Sequence, residues 1–347
     1  MLATAELEAE LAATAGVLAA ALFTVPMAIG LAVEPVVLAA SARWDRRRVL
    51  AGGLAGMGLV QLGIAGAHDV RLLSALVTLW GIGAGLATRL AEVALVARAA
   101  STERAMARWT LAGALGDVAA PLALATAAGA SLGWRTALAA VAVVALANAV
   151  AIATGPPLAG DDEDDDVPLR DALRAEARNP RLWAWLLAAA ACTLLDEVFV
   201  SFGALWLDAR GHGLAEQARV FVAFSAGGAV GTATVERLAT RSSPRTLLLA
   251  CSAACAASFV AWMAFPLPAA FVLGASALPL WTLSTSQAYR AGTAPGRVAA
   301  LGAVLAPLEI AAPLLLGAVA DRWGIGAAMA LLLLQPAIVA ITAARDR

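Results

Sequence analysis

Eleven long apolar stretches, separated by short polar connections, make up most of this chain. They run over 12–41, 49–67, 71–98, 105–130, 135–154, 181–207, 216–239, 246–265, 268–289, 298–320 and 325–343. At about 1.5 Å of rise per residue, each is long enough as a helix to cross the roughly 30 Å of a bilayer's hydrocarbon. The polar residues between them alternate in kind. Every second connection is rich in arginine: Arg43 with Arg46, Arg47 and Arg48; Arg98, Arg104 and Arg108; Arg170, Arg174, Arg178 and Arg181; Arg237, Arg241 and Arg245; Arg290 and Arg297; then Arg345 and Arg347. The opposite set holds only Arg71, Arg135, Arg210, Arg219 and Arg322. Basic residues flanking membrane helices stay on the cytoplasmic side, so this asymmetry predicts a multi-pass protein with its C-terminus inside. Eleven spans then put Met1 outside.

Composition removes other classes. The chain is 61% hydrophobic and 14% charged, with a mean hydropathy of +0.81, which no soluble domain of this length shows. A net charge of −1 gives no electrostatic basis for binding nucleic acid. Cys192, Cys251 and Cys255 all fall inside spans with no histidine near, and are expected to pack rather than hold a metal. His68 and His212 fall in short external loops. No basic region precedes the first apolar stretch, which is too long for a cleavable signal.

Gly155-Pro156-Pro157 followed by Asp161-Asp162-Glu163-Asp164-Asp165-Asp166 is a helix break and then a like-charge block, the pattern of a solvated connection. It divides the chain into an N-terminal bundle of five spans (1–154), an acidic cytoplasmic linker (155–180) and a C-terminal bundle of six spans (181–347). The acidic run contains an Asp-Asp-x-x-Asp string of the kind that holds magnesium diphosphate, but it stands in a loop rather than on a helix wall. No metal and no cofactor is expected.

The halves repeat. Residues 38–50, Leu-Ala-Ala-Ser-Ala-Arg-Trp-Asp-Arg-Arg-Arg-Val-Leu, align with 236–248, Glu-Arg-Leu-Ala-Thr-Arg-Ser-Ser-Pro-Arg-Thr-Leu-Leu, at an offset of 198. Gly133-Trp134-Arg135 and Trp323-Gly324 form a second pair, each before the last span of its half. Parallel repeats of this kind are a transporter architecture with the substrate site at the repeat interface near the bilayer midplane.

These residues resemble the major facilitator superfamily. Its signature between the second and third helices reads Gly-x-Leu-Ala-Asp-Arg-x-Gly-Arg-Arg-Arg, which Arg43, Arg46, Arg47 and Arg48 match, while Leu38, Ala42 and Asp45 stand where the first Gly, the Asp and the second Gly would be. In the second copy Arg237, Leu238, Ala239, Arg241 and Arg245 match, whereas Glu236, Thr240 and Ser243 depart. The resemblance implies an all-helical two-bundle transporter in which this motif latches the inner gate. Because the motif's Asp is replaced, that latch must differ here. Glu34-Pro35 and Leu195-Asp196-Glu197 are similar to fosmidomycin-resistance-like exporters. The family has six plus six helices, so the eleven spans would be its helices 2–12. Either the start codon stands too far downstream or the protein is a natural eleven-span variant. The arginine usual before the fourth helix's glycines aligns with Val77, and the Gly-Pro antiporter motif survives only around Gly113, Gly116 and Pro121.

Charges inside the spans identify candidate chemistry, since each costs on the order of 2.5–3.5 kcal/mol at a span's centre. Counted from the nearest cytoplasmic arginine, Glu34, Arg89 and Asp117 lie about 13 Å deep and Glu309 about 18 Å. Asp196 and Glu197 lie in the middle or outer half, Glu92 nearer the inner surface. Past their first residues the spans 49–67, 135–154, 246–265 and 325–343 carry no charge; these correspond to the family's lipid-facing helices. Arg89 and Glu92 share a helix face, which suits a structural ion pair as well as a substrate or proton site. Glu34, Asp196 and Glu309 lack a same-helix partner and are candidate proton carriers.

Trp281, Ser284 and Gln287, with Tyr289, place polar and aromatic groups on one face of an apolar helix. They are candidates either for interhelical bonds or for a cavity wall. Gly52 with Gly56, and Gly227 with Gly231, are small-xxx-small pairs that predict close helix packing. The expected function is transport of a small organic molecule by alternating access, with proton-coupled export favoured and the lipid bilayer as its surroundings. A non-transporting membrane protein stays open as the alternative. No nucleophile–base pair marks an enzyme.

Overall fold

In the computed structural model, the structure describes residues 25–26, 29–30, 33, 45–130, 133–156 and 169–346. Glu34, Arg43, the acidic run 161–166 and most of the stretch 12–41 lie outside the described residues, and Asp117 is described in its backbone alone. The described residues are helical with short turns and contain no strand. Among them, eight helices are long and apolar enough to cross a membrane, or nine if Pro295–Ala303 and Ala306–Trp323, bent by 43°, count as one. The eleven spans expected from the sequence include 12–41, most of which lies outside the described residues.

The helices begin where local chemistry starts them. Asp45 caps α1 (Arg46–Gly66), its carboxylate accepting the Arg48 amide at 3.1 Å. The Asp69 carboxylate accepts the amides of Arg71 and Leu72 at the start of α2 (Val70–Arg98). Ser101 caps α3 (Thr102–Gly129) through the Arg104 amide. α4 is Gly133–Thr154, and the short amphipathic α5 is Leu169–Glu176. Asn179 and Ser243 cap α6 (Pro180–Ala191) and α9 (Pro244–Ala264), each with proline at the first helical position, where the missing N–H costs nothing. Between these, a π turn (Leu194–Val198) joins α6 to α7 (Phe199–Asp208), and α8 spans Leu214–Leu238. The rest are α10 (Pro266–Ala291), α11 (Pro295–Ala303), α12 (Ala306–Trp323), α13 (Ile325–Leu331) and α14 (Leu334–Arg345). Gly133 and Gly324, the second repeated pair, both have positive φ, 71° and 85°, a region L-residues with side chains avoid.

Two compact units result: residues 1–98 with 117–165, and residues 99–116 with 166–347. In the first, α1 packs on α2 and α4. Small residues make the contact, but not the expected ones. A Cβ on Gly58 would meet Leu146 at 2.7 Å and one on Gly53 would meet Ala87 at 3.5 Å, whereas at Gly52 and Gly56 nothing among the described residues lies within 4 Å. One end is closed by Ile64, Ala67 and Leu73 with Trp80 and Trp134 around them. There Arg135, stacked on Trp134 at 4.6 Å, donates to the carbonyls of Ala65 and Ala67.

In the second unit α8 and α10 touch backbone to backbone. A Cβ on Gly227 would fall 1.9 Å from the Phe271 carbonyl oxygen, one on Gly231 2.1 Å from that of Ala275, and one on Gly274 1.9 Å from that of Phe224. The expected packing at Gly227 and Gly231 is therefore present. Beside it Phe199 sits in an aromatic cluster, 4.8 Å from both Phe224 and Trp262 and 6.4 Å from Phe259. The first turns of α3 belong to this unit and the remainder of that helix to the other.

Candidate functional site

Two groups of charged and polar residues in the second unit are candidates for a functional role. The first is at the arginine-rich end. Glu103, in the first turn of α3, is buried, and its Oε1 accepts from Arg290 Nη1 at 2.6 Å and from Gln287 Nε2 at 3.3 Å. Its Oε2 accepts from the Ser101 hydroxyl at 3.0 Å. Burial alone would raise this carboxyl group's pKa, but hydrogen bonds from its own backbone N–H, from Arg290 and from Ser101, with the Arg290 charge, outweigh that and lower it. One turn further along α3, Arg108 Nε meets Glu236 Oε1 at 2.7 Å. Beyond that, the Thr110 and Thr282 hydroxyls bond at 2.8 Å. The foot of α3 is thus joined to α8 and α10 by two ion pairs and a hydroxyl pair.

The second group is the π turn. α6 runs regularly to Ala191 and α7 resumes at Phe199, with Leu195 and Val198 buried and Asp196 and Glu197 exposed. Within the π turn the Leu195 amide donates to a side chain of another span, Gln335 Oε1, at 2.7 Å. Gln335 is itself buried, at the start of α14. α10 and α12 pack against the π turn, and α12 carries Glu309 in its first turn.

The other sequence candidates fall elsewhere. Arg89 and Glu92 pair at 3.7 Å on α2, the glutamate buried and the arginine half-buried, within the first unit. Ser284 is fully buried, Tyr289 buried and Trp281 half-buried, while Gln287 belongs to the Glu103 cluster. Of the gate motif, Asp45 caps α1 and pairs with Arg48 at 3.5 Å, and Arg47 donates to the Gly155 carbonyl. Arg46 is half-buried, and Arg237 and Arg241 are exposed at the end of α8.

Sequence reading missed Glu103, Arg290, the Arg108–Glu236 pair and Gln335. It also missed Glu176, whose buried carboxylate accepts from the backbone and hydroxyl of Thr293, and Asp346, which accepts from Arg181 and from Trp185 Nε1. Each of these acids stands beside an arginine cluster, a signal that was used for orientation alone.

Long apolar helices in two units, with ion pairs of half-exposed arginines at one end and a π turn bearing acids within one span, are the build of a multi-pass membrane protein. The sequence profile of the Major Facilitator Superfamily matches residues 1–306, and the chain belongs to that family. Solved structures with this fold include the fucose transporter FucP of E. coli in an outward conformation (TM-score 0.72, 15% identity, 95% of this chain and 89% of FucP covered). Others are the human organic anion transporter MFSD10 (0.73, 18%, 94% and 83%) and the proton:xylose symporter XylE (0.73, 12%, 99% and 89%). None of the curated proteins compared with the chain matches it significantly.

Proposed function

We propose that the protein is a secondary active transporter of the cell membrane that exports a small organic molecule in exchange for protons, by alternating access of two helical bundles. The observation that carries this reading is the pair of adjacent carboxylates, Asp196 and Glu197, on irregular backbone within an otherwise apolar span. Non-helical backbone and charge at membrane depth are tolerated where they line a protein-enclosed or water-filled cavity. A carboxyl group so placed can take up a proton on one side and release it on the other. The similarity of Leu195-Asp196-Glu197 to the fosmidomycin-resistance-like exporters supports the direction, and the proton coupling of FucP and XylE supports the ion. With the arginine-rich side cytoplasmic and the C-terminus inside, the Glu103–Arg290 and Arg108–Glu236 pairs form the inner gate. They take the place of the latch that the family builds on the motif's Asp.

Asp196→Asn and Glu34→Gln are each expected to abolish export driven by a pH gradient. The assay is loss of accumulated fluorescent organic compounds from cells deprived of their own exporters. Undiminished gradient-driven export in both variants overturns proton coupling through these acids.

A further inference from the structure

We propose that Gln335 is a positioning residue: by accepting the Leu195 amide it holds the π turn open and so sets the direction in which Asp196 and Glu197 point. This rests on the coupling role given to those acids above. The geometry is specific. A π turn closes over five residues rather than four, so it inserts one extra residue into the helix. Each residue turns an α-helix by about 100°, so an inserted residue rotates one side of the span against the other by that amount. Both sides are separately fixed. Upstream, α6 packs on α10 and α14 with Leu182, Trp185 and Ala188 buried. Downstream, Phe199 is locked among Phe221, Phe224, Phe259 and Trp262. The extra residue reconciles the two; within the turn the Leu195 amide donates to the Gln335 side chain, and the next amide, of Asp196, donates to the Cys192 carbonyl four residues back at 3.2 Å.

A buried amide without an acceptor is costly, and without water in the hydrocarbon it must be satisfied by protein. Gln335 supplies the acceptor from another span, at a point where that span is itself interrupted between Leu331 and Leu334. The side chain is 1% exposed, so no solvent molecule substitutes for it. Remove the acceptor and the Leu195 amide has only main-chain carbonyls of its own span to turn to, which pulls the turn tighter and shifts the acids.

The test uses the full chain with its three native cysteines replaced by alanine and single cysteines at 195, 196, 197 and 198, probed in membranes with a charged, impermeant thiosulfonate. With Gln335 present, 196 and 197 should react and 195 and 198 stay protected. Gln335→Met, which keeps the length and loses the acceptor, should reduce that contrast at least tenfold; Gln335→Glu, which keeps an acceptor oxygen, should restore it. An unchanged labelling pattern in Gln335→Met overturns the proposal, as does failure of Gln335→Glu to restore a lost one. pH-gradient-driven export is read in Gln335→Met and Gln335→Glu on the native-cysteine background. Altered labelling with undiminished export upholds the positioning role and overturns the coupling reading of the acids.

Discussion

Arg47 and Arg245 stand 198 residues apart in the repeat and do the same job. Arg47 donates to the Gly155 carbonyl just past the end of α4, and Arg245 donates through Nη2 to the Ala344 carbonyl in the last turn of α14, at 3.1 Å. In each half, then, one arginine from the motif caps the closing helix, where a cation also meets the negative end of the helix dipole. Arg47→Ala and Arg245→Ala should each cost about 0.5–1 kcal/mol, read as a lower melting temperature in detergent. Arg48, exposed and paired among the described residues with its neighbour Asp45, serves as the control, and Arg48→Ala should change little. A silent Arg47→Ala would mean that the motif's third arginine has no structural role here.

Close approach of α8 and α10 makes a sharper forecast. A methyl group at Gly231 or Gly274 would collide with main-chain oxygen, which cannot move aside as a side-chain tip can. Gly231→Ala and Gly274→Ala should destabilise by about 1–3 kcal/mol, the usual cost of overpacking. At Gly317 nothing among the described residues lies within 4 Å, so Gly317→Ala should show no loss, helped by alanine's better helix propensity. Thermal unfolding followed by thiol exposure separates the two outcomes.

How much of this was legible beforehand depends on the distance over which each feature is determined. Span chemistry is local, and so the apolar stretches, the arginine asymmetry and the 198-residue repeat could be read directly. Gly227 and Gly231 were readable for the same reason: a four-residue spacing already defines one helix face. Gly52 and Gly56 have that spacing too, yet the contact in the first unit is made by Gly53 and Gly58, because the partner helix decides which face is used. The Glu103–Arg290 pair joins residues 187 apart, and nothing in either neighbourhood names the other. Gln287 has the helical spacing of Trp281 and Ser284, but it is Glu103, on another helix, that gives it a partner. The π turn was invisible because Leu195 and Asp196 look like any helical sequence until Gln335 supplies an acceptor.

Glu103 predicts a pH response. Its carboxyl group titrates below the ordinary value of 4.5 in the folded protein. The folded state therefore holds that proton less tightly than the unfolded chain, so the stabilisation is present in full above the unfolded value and is lost as pH falls through the folded one. Melting temperature should drop below about pH 4.5 in the wild type, and that part of the drop should be absent in Glu103→Gln. At neutral pH the variant should be less stable by roughly 1 kcal/mol, a modest loss because Arg290 is half exposed and its charge can turn to water. An identical acid limb in both proteins would remove Glu103 from the gate.

The Arg108–Glu236 pair tests whether that end of the molecule opens. Arg108 is 62% exposed, so the ion pair contributes little to folding, and its influence should be on the balance between conformations. Arg108→Glu places two carboxylates together, and a penalty near 1 kcal/mol shifts a two-state equilibrium about fivefold. The Thr110–Thr282 contact lies just behind the pair and reports on opening. A cysteine at Thr110 should react slowly with a charged thiol reagent applied from the arginine-rich side, and about fivefold faster with Arg108→Glu. Arg108→Glu combined with Glu236→Arg reverses the pair, keeps the attraction and should return the rate to its starting value. If the reversed pair stays as fast as the single variant, the contact acts through shape rather than charge. If neither variant changes the rate, opening does not pass through α3 and α8 at this point.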